Sequence, residues 1–196
     1  MPVTVACLMP TIKSHAAFRP VAEACFGAQV YPDDWQVYLF INENETDSLG
    51  RKLNCMCSAA WVEGIDYIVL WDDDDWYRKD RVFRQVLPLT YGVPAVSGTS
   101  QVYYRNGAEG FLYSGNPDAW MYGLAFPTAI WEKHPFEDVS KGVDTRWLKQ
   151  NIPAAWRFDC NDPSLSIGTI HQSNTCPKHT VAGNGAAWIF NFSRTR

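Results

Sequence analysis

The sequence predicts an α/β fold, with a central, mostly parallel sheet flanked by helices and a smaller mixed or antiparallel region in its second half. Three observations carry this prediction. Apolar runs of strand length alternate with helix-length segments in the order β-α-β-α-β over residues 3–71, which favours parallel strands joined by right-handed crossovers. All three strands deliver polar loops at their carboxyl ends. Beyond Pro88 the runs shorten and are separated by Gly, Asn and Pro turns, the mark of a mixed, partly antiparallel region.

In order along the chain, Val3 to Met9 reads as a first strand ending at Pro10-Thr11. A helix is expected from about Ser14 to Phe26, with Ala16, Ala17, Val21, Ala22 and Cys25 as its buried face. Trp35 to Ile41 forms the second strand and ends in the polar loop Asn42 to Asp47. Leu49 to Val62 reads as a helix closed by Gly64, and Tyr67 to Trp71 as the third strand. Arg78 to Leu87 is expected to be helical and to stop at Pro88. Ala95 to Thr99 and Gln101 to Tyr104 are short strands, and Thr145 to Gln150 a short helix.

The third strand runs into four consecutive aspartates, Asp72 to Asp75. Side chains alternate across a strand, so Asp72 and Asp74 share one side and Asp73 and Asp75 the other. Four like charges at the edge of a core repel one another unless a cation neutralises them. A divalent metal meets that need, and oxygen ligands select hard ions such as Mg²⁺ or Mn²⁺. The plainer reading is a solvated acidic turn in which Asp75 or Asp80 caps the next helix. Position favours the metal, because ligands of open α/β sheets bind beyond the carboxyl ends of the strands. An EF-hand is excluded: Tyr77 and Phe83 stand where its Gly and Glu are required.

Composition narrows the classes further. At 196 residues, 46% hydrophobic and 19% charged, the chain is expected to form one globular domain, residues 1–196. A net charge of -4 gives no general attraction to nucleic acid or anionic membrane. Nine Trp, nine Tyr and ten Phe are ample for a core and for stacking on sugars or bases. No run approaches the roughly 20 apolar residues that cross a bilayer, and no apolar signal core follows the start, so a soluble, cytoplasmic protein is expected. The six cysteines are expected to be reduced and mostly buried. Cys160, His171, Cys176 and His179 lack the paired spacing of a zinc site. A glycine fingerprint for dinucleotides and a phosphate-binding P-loop are both absent.

Taken together, the motifs resemble the family 2 type of GT-A glycosyltransferases, a Rossmann-like fold whose members move sugar from a nucleotide diphosphate donor to an acceptor. The matching residues are Met9-Pro10-Thr11 after the first strand, Gly50-Arg51-Lys52-Leu53-Asn54, and Asp72 to Tyr77, which is similar to the D-x-D-D motif. Gly142-Val143-Asp144-Thr145 resembles an acidic G-E-D-T segment, and His171-Gln172-Ser173-Asn174-Thr175 a terminal H-G-x-N-T stretch. The resemblance covers roughly residues 3 to 176.

It implies a single GT-A domain with a nucleotide-sugar half at about 1–87 and an acceptor and catalytic half at about 88–196. It implies that Asp72, Asp74 and His171 hold Mn²⁺ or Mg²⁺, and that Pro10, Thr11, Asn42, Glu43, Lys52 and Asp73 contact the donor, with a UDP-sugar expected. Asp144 is the implied general base, with Glu137 and Asp138 as substitutes. Asp144 also suits the N-cap of the helix that follows it. The acceptor is a hydroxyl on a glycan, a lipid-linked sugar, a protein or a hydroxylated DNA base, nucleic acid entering only as acceptor. Tyr103, Tyr104, Trp120 and Tyr122 are available to stack on it. Two other classes share these features: a metal-dependent phosphohydrolase, which needs no second substrate, and a non-catalytic carbohydrate-binding module, which releases no nucleotide.

Overall fold

The computed structural model describes residues 2–107, 109–116, 118, 121–172 and 174, and the strand at 187–188. Its first half follows the expected order: β1 (Thr4–Pro10), α1 (Arg19–Gly27), β2 (Gln36–Asn42), α2 (Leu49–Val62), β3 (Tyr67–Leu70), β4 (Trp76–Tyr77) and α3 (Arg81–Val86). The second half adds β5 (Val96–Thr99), β6 (Gln101–Asn106), β7 (Glu109–Ser114), β8 (Tyr122–Pro127), α4 (Thr128–Lys133), α5 (Val143–Asn151), β9 (Arg157–Asp159), β10 (Ser166–Thr169) and β11 (Ala187–Trp188).

Six strands form the main sheet in the order β2-β1-β3-β8-β5-β9. β1 pairs in parallel with β2 and β3, and β5 with β9, while β8 runs antiparallel between β3 and β5. Alternation along β1 explains why its sequence is apolar throughout. Ala6 and Leu8 face a layer with Leu53, Met56, Cys57, Phe126, Phe136 and Trp147. Val5, Cys7 and Met9 face the opposite layer with Ala22, Cys25, Trp71, Val82 and Val86. A strand covered on both faces must be apolar at every position. Phe126 lies 4.7 Å from Trp147 between ring centroids, and truncating so buried an aromatic costs about 3–5 kcal/mol.

A second sheet, β11-β7-β6-β10-β4, carries the rest. β4 joins it through Ser166 opposite Tyr77 and Ile167 opposite Trp76. Two residues after the aspartates begin to pair with β10, so the run is clasped between the sheets. Among the described residues no helix is long and apolar enough to cross a membrane.

Three local expectations are corrected. The first helix starts at Arg19, not near residue 14; Lys13–His15 form one 3-10 turn, Ala16, Ala17 and Val21 are exposed, and only Ala22 and Cys25 of the expected face are buried. Pro20 is the cause, since it suits a first helical turn and disfavours helix just before itself. Asp80 stands at the N-cap of α3 without a capping hydrogen bond, because its carboxylate is taken by Arg78 and Arg84. The N-cap of α5 is Gly142, at φ 63°, and Asp144 lies inside the first turn. A positive φ suits Gly and few other residues.

Candidate functional site

The aspartate run leaves β3 at the carboxyl end of the main sheet, and its side chains divide by parity. Asp73 and Asp75 are 3% and 1% exposed, Asp74 is partly buried, and Asp72 is exposed. Asp75 is held by protein donors: Thr169 N at 2.7 Å and the Tyr122 hydroxyl. Burial and the nearby charge of Asp75 push the Tyr122 phenol well above its ordinary value, so it stays protonated and donates. Tyr122 is therefore a structural partner of Asp75 and not an open stacking surface.

Asp73 accepts at 2.7 Å from the ring nitrogen Nδ1 of His15, itself buried. Its other oxygen, Oδ2, is buried with no hydrogen-bond partner among the described residues. Asp74 Oδ2 lies 2.8 Å from His171 Nε2 and accepts from Asn174 Nδ2 at 3.1 Å. The two imidazoles meet edge to face with centroids 5.0 Å apart, and Phe18 stacks on His171 at 4.2 Å. From below, the fully buried Arg81 donates to the Leu70 carbonyl at 2.7 Å and lies 4.2 Å from the Tyr77 ring centre.

The expected donor-side residues lie in the loops after β1 and β2 and on α2, and most are tied to their neighbours. Pro10 ends β1; Thr11 N donates to the Asn42 carbonyl at 2.9 Å. Lys52 is 3% exposed, and its ammonium donates to the Thr11 carbonyl at 2.6 Å. It braces the loop rather than projecting from it. Glu43 is exposed and paired with Arg19, and the Asn42 side chain accepts from Asn44 N at 3.0 Å. The rest of the Gly50 to Asn54 motif is also structural. Gly50 N donates to the Val139 carbonyl at 2.9 Å, and Asn54 accepts from Trp131 and Phe136 at 2.8 and 3.0 Å.

Asp144 is partly buried in the first turn of α5. Burial, together with the negative charge of Asp75, Asp72 and Asp144, pushes the Tyr104 phenol far above its ordinary value, so all three carboxylates bear on one ring. Glu137 and Asp138 point elsewhere: Glu137 to Gln150 at 2.7 Å and Arg146 at 3.4 Å, Asp138 to Ser48. Trp120, Cys176 and His179 lie outside the described residues. Cys7, Cys25 and Cys57 are buried free thiols, and burial pushes the Cys7 thiol up to about 12.

His15, Asp74 and His171 offer ligand atoms within 4.8 Å of one another, and are the one such group among the described residues. The set fits a divalent ion, since one carboxylate and two imidazoles leave coordination positions open. The orphaned Asp73 oxygen beside it is a further sign of missing positive charge. Asp74 and His171 were expected; Asp72 lies outside the group, and His15 was missed. The signal for His15 was Pro20, which delays the helix and leaves His15 in the loop after the first strand, where ligands bind.

No protein-family model matches the chain, and no curated protein matches its sequence. Solved structures match by fold. S. aureus TarS 1-349 in complex with UDP-GlcNAc gives a TM-score of 0.61 at 12% identity, over 88% of this chain and 60% of that one. The complex of the same protein with UDP gives 0.59 at 13%, over 86% and 60%. Mannosyltransferase PcManGT from Pyrobaculum calidifontis, in complex with GDP-Man and Mn2+, gives 0.61 at 13%, over 89% and 59%. The chain thus spans about 60% of the length of these neighbours. The likeness shows the fold: this chain has the GT-A-like α/β architecture of these structures.

Proposed function

We propose that this chain is a metal-dependent, inverting glycosyltransferase that moves a sugar from a nucleotide diphosphate sugar, a UDP-sugar first, to a hydroxyl acceptor. The observation that carries the reading is the His15, Asp74 and His171 group at the carboxyl end of β3, in a fold whose matched structures include UDP, UDP-GlcNAc and GDP-Man complexes, the last with Mn2+. The donor half is about residues 1–87 and the acceptor half about 88–196.

Pro10, Thr11, Asn42 and Glu43 border the base and ribose, with Lys52 fixing their loop from beneath. Asp74 and His171 would hold Mn²⁺ or Mg²⁺, and Asp72, the exposed member of the run, lies outside their group and would face the donor. When bound, such an ion stabilises the charge that develops on the leaving diphosphate. Asp144 accepts the proton of the acceptor hydroxyl as its oxygen bonds to the anomeric carbon and the bond to the diphosphate breaks on the opposite face. Tyr104, kept protonated, lies among these carboxylates and lines the acceptor side.

A thermal-shift panel of UDP- and GDP-sugars with and without Mn²⁺ tests this, because a ligand that binds only the folded state raises the melting temperature. A shift that requires both sugar nucleotide and ion is expected. If no sugar nucleotide shifts the transition, the reading fails; rapid phosphate release from a donor without acceptor would instead mark a phosphohydrolase.

A further inference from the structure

We propose that His15 is a metal ligand, oriented by Asp73, and that this second imidazole makes the centre selective for Mn²⁺ and similar transition ions over Mg²⁺. The inference rests on the metal dependence argued above and narrows it to one class of ion. A carboxylate that accepts from one ring nitrogen fixes the tautomer and orientation of an imidazole, so that the other nitrogen serves the metal. The Asp73 contact is to Nδ1 at 2.7 Å, and both groups are buried. His15 belongs to the group whose ligand atoms lie within 4.8 Å of one another, and with Nδ1 turned to Asp73 the nitrogen left for an ion is Nε2.

Asp73 and Asp74 are neighbours in sequence and act on different histidines: Asp73 on His15, Asp74 on His171 at 2.8 Å. Burial marks the division. The buried carboxylate is sequestered behind an imidazole, where it supports a ligand, while the partly exposed one reaches the ion itself. Two nitrogens and one carboxylate oxygen disfavour Mg²⁺, which prefers an octahedron of oxygens and retains its water. Imidazole suits the later first-row ions, and Mn²⁺ accepts both donor types.

The alternative is a structural ion pair in which a protonated His15 only neutralises Asp73. The two predict opposite signs. Removing a cation from beside the site would tighten metal binding, whereas removing a ligand weakens it. Mn²⁺ alone is titrated into the protein and followed by the loss of the free-ion EPR signal, with pulsed EPR counting directly coupled ¹⁴N nuclei. Wild type is expected to show two coupled nitrogens and a Mn²⁺ that Mg²⁺ displaces only in large excess. His15→Ala should show one nitrogen, Mn²⁺ affinity lower by at least about tenfold, and a smaller preference over Mg²⁺.

Asp73→Asn keeps the size of the side chain but not its charge, and should weaken Mn²⁺ about 10- to 100-fold with two nitrogens still coupled at saturation. One coupled nitrogen in wild type, or Mn²⁺ affinity unchanged or raised in His15→Ala, overturns the proposal. Should His15→Ala fail to fold, the wild-type nitrogen count and Asp73→Asn decide. Sugar-nucleotide binding is read in parallel. One nitrogen with intact binding sinks this inference alone, while two nitrogens without any sugar-nucleotide binding sink the transferase reading and leave the metal site standing.

Discussion

The two walls of the site are built on different principles. On the β1 and β2 side the loops are tied by contacts of shorter sequence span: Lys52 to Thr11 across 41 residues, Lys13 N to Glu45 across 32, Arg19 to Glu43 across 24. Much of that wall is main chain, held in shape by side chains from behind. Opposite it, Thr169 reaches Asp75 across 94 residues, His171 reaches Asp74 across 97 and Asn174 across 100. This second wall meets the aspartates with donors and an imidazole. A site for an anionic donor and its metal needs both: a surface with fixed shape, and side chains that answer concentrated charge.

The sharpest test of the second wall is Asp74→Ala. It removes the one carboxylate shared by His171 and Asn174, and is expected to abolish metal-dependent donor binding while the protein remains folded, since it also relieves repulsion within the run. Calorimetry with a UDP-sugar and Mn²⁺ checks this; an unchanged donor affinity would take Asp74 out of the donor site. Next in size is Asp144→Asn, which keeps the side-chain shape but cannot take a proton. Turnover should drop roughly 10²- to 10⁴-fold at unchanged donor affinity and melting temperature. Turnover within about threefold of wild type would exclude Asp144 as base.

The contrast between the walls also explains what could be read from the chain. The β-α-β-α-β half was legible because each element announces itself over a few residues, and α2 spans Leu49–Val62 as expected. The aspartate run itself was legible, but the strand that its alternation assumes ends at Leu70 and residues 73–74 form a turn; Asp73 and Asp75 are buried, Asp72 and Asp74 less so. His171 came from a motif, and the reason for it, its contact with Asp74, is set only by the sheet pairing of β10 with β4. His15 was hidden for the opposite reason. Its segment has an apolar pattern that suits a helix, and a single proline overrides that pattern. Arg81 was not legible at all, because a buried arginine on carbonyls and rings has no sequence signature.

Two stability variants compare the walls directly. A Cβ at Gly50 would stand 1.8 Å from the Glu137 carbonyl oxygen, and main chain on both sides cannot yield easily. Gly50→Ala should therefore destabilise by about 3 kcal/mol, the upper part of the overpacking range. Tyr122→Phe removes one donor from buried Asp75 and leaves Thr169 N in place, so about 1–2 kcal/mol is expected. Urea unfolding measures both. If Tyr122→Phe proved the more damaging, the shape of the first wall would matter less than the polar contacts of the second.

The smallest effect concerns the ionic link beneath the site. Arg78 pairs with Asp80 at 2.5 Å and with Asp162 at 3.0 Å, tying the segment before α3 to the residues before β10. Burial pushes the Asp80 carboxyl up, but hydrogen bonds from Arg78 and Arg84 outweigh it and hold the group below its ordinary value. Asp162 is likewise lowered, its burial outweighed by bonds from Ser164 and Arg78. A carboxylate lowered in the folded state contributes stability that is present above its unfolded pKa, about 3.9, and is lost as pH falls through the folded value. Both groups remain partly open to solvent, so the contribution of each is about 0.2–1 kcal/mol and is screened by salt. Asp80→Asn should therefore lower stability by that amount at pH 7 and by progressively less below about pH 4, as wild type loses the same charge. Unfolding curves at pH 7, 5 and 3 in low salt check the sign. A penalty that stayed constant down to pH 3 would mean that Asp80 acts by shape and not by charge, and the two walls would then be joined here by packing alone.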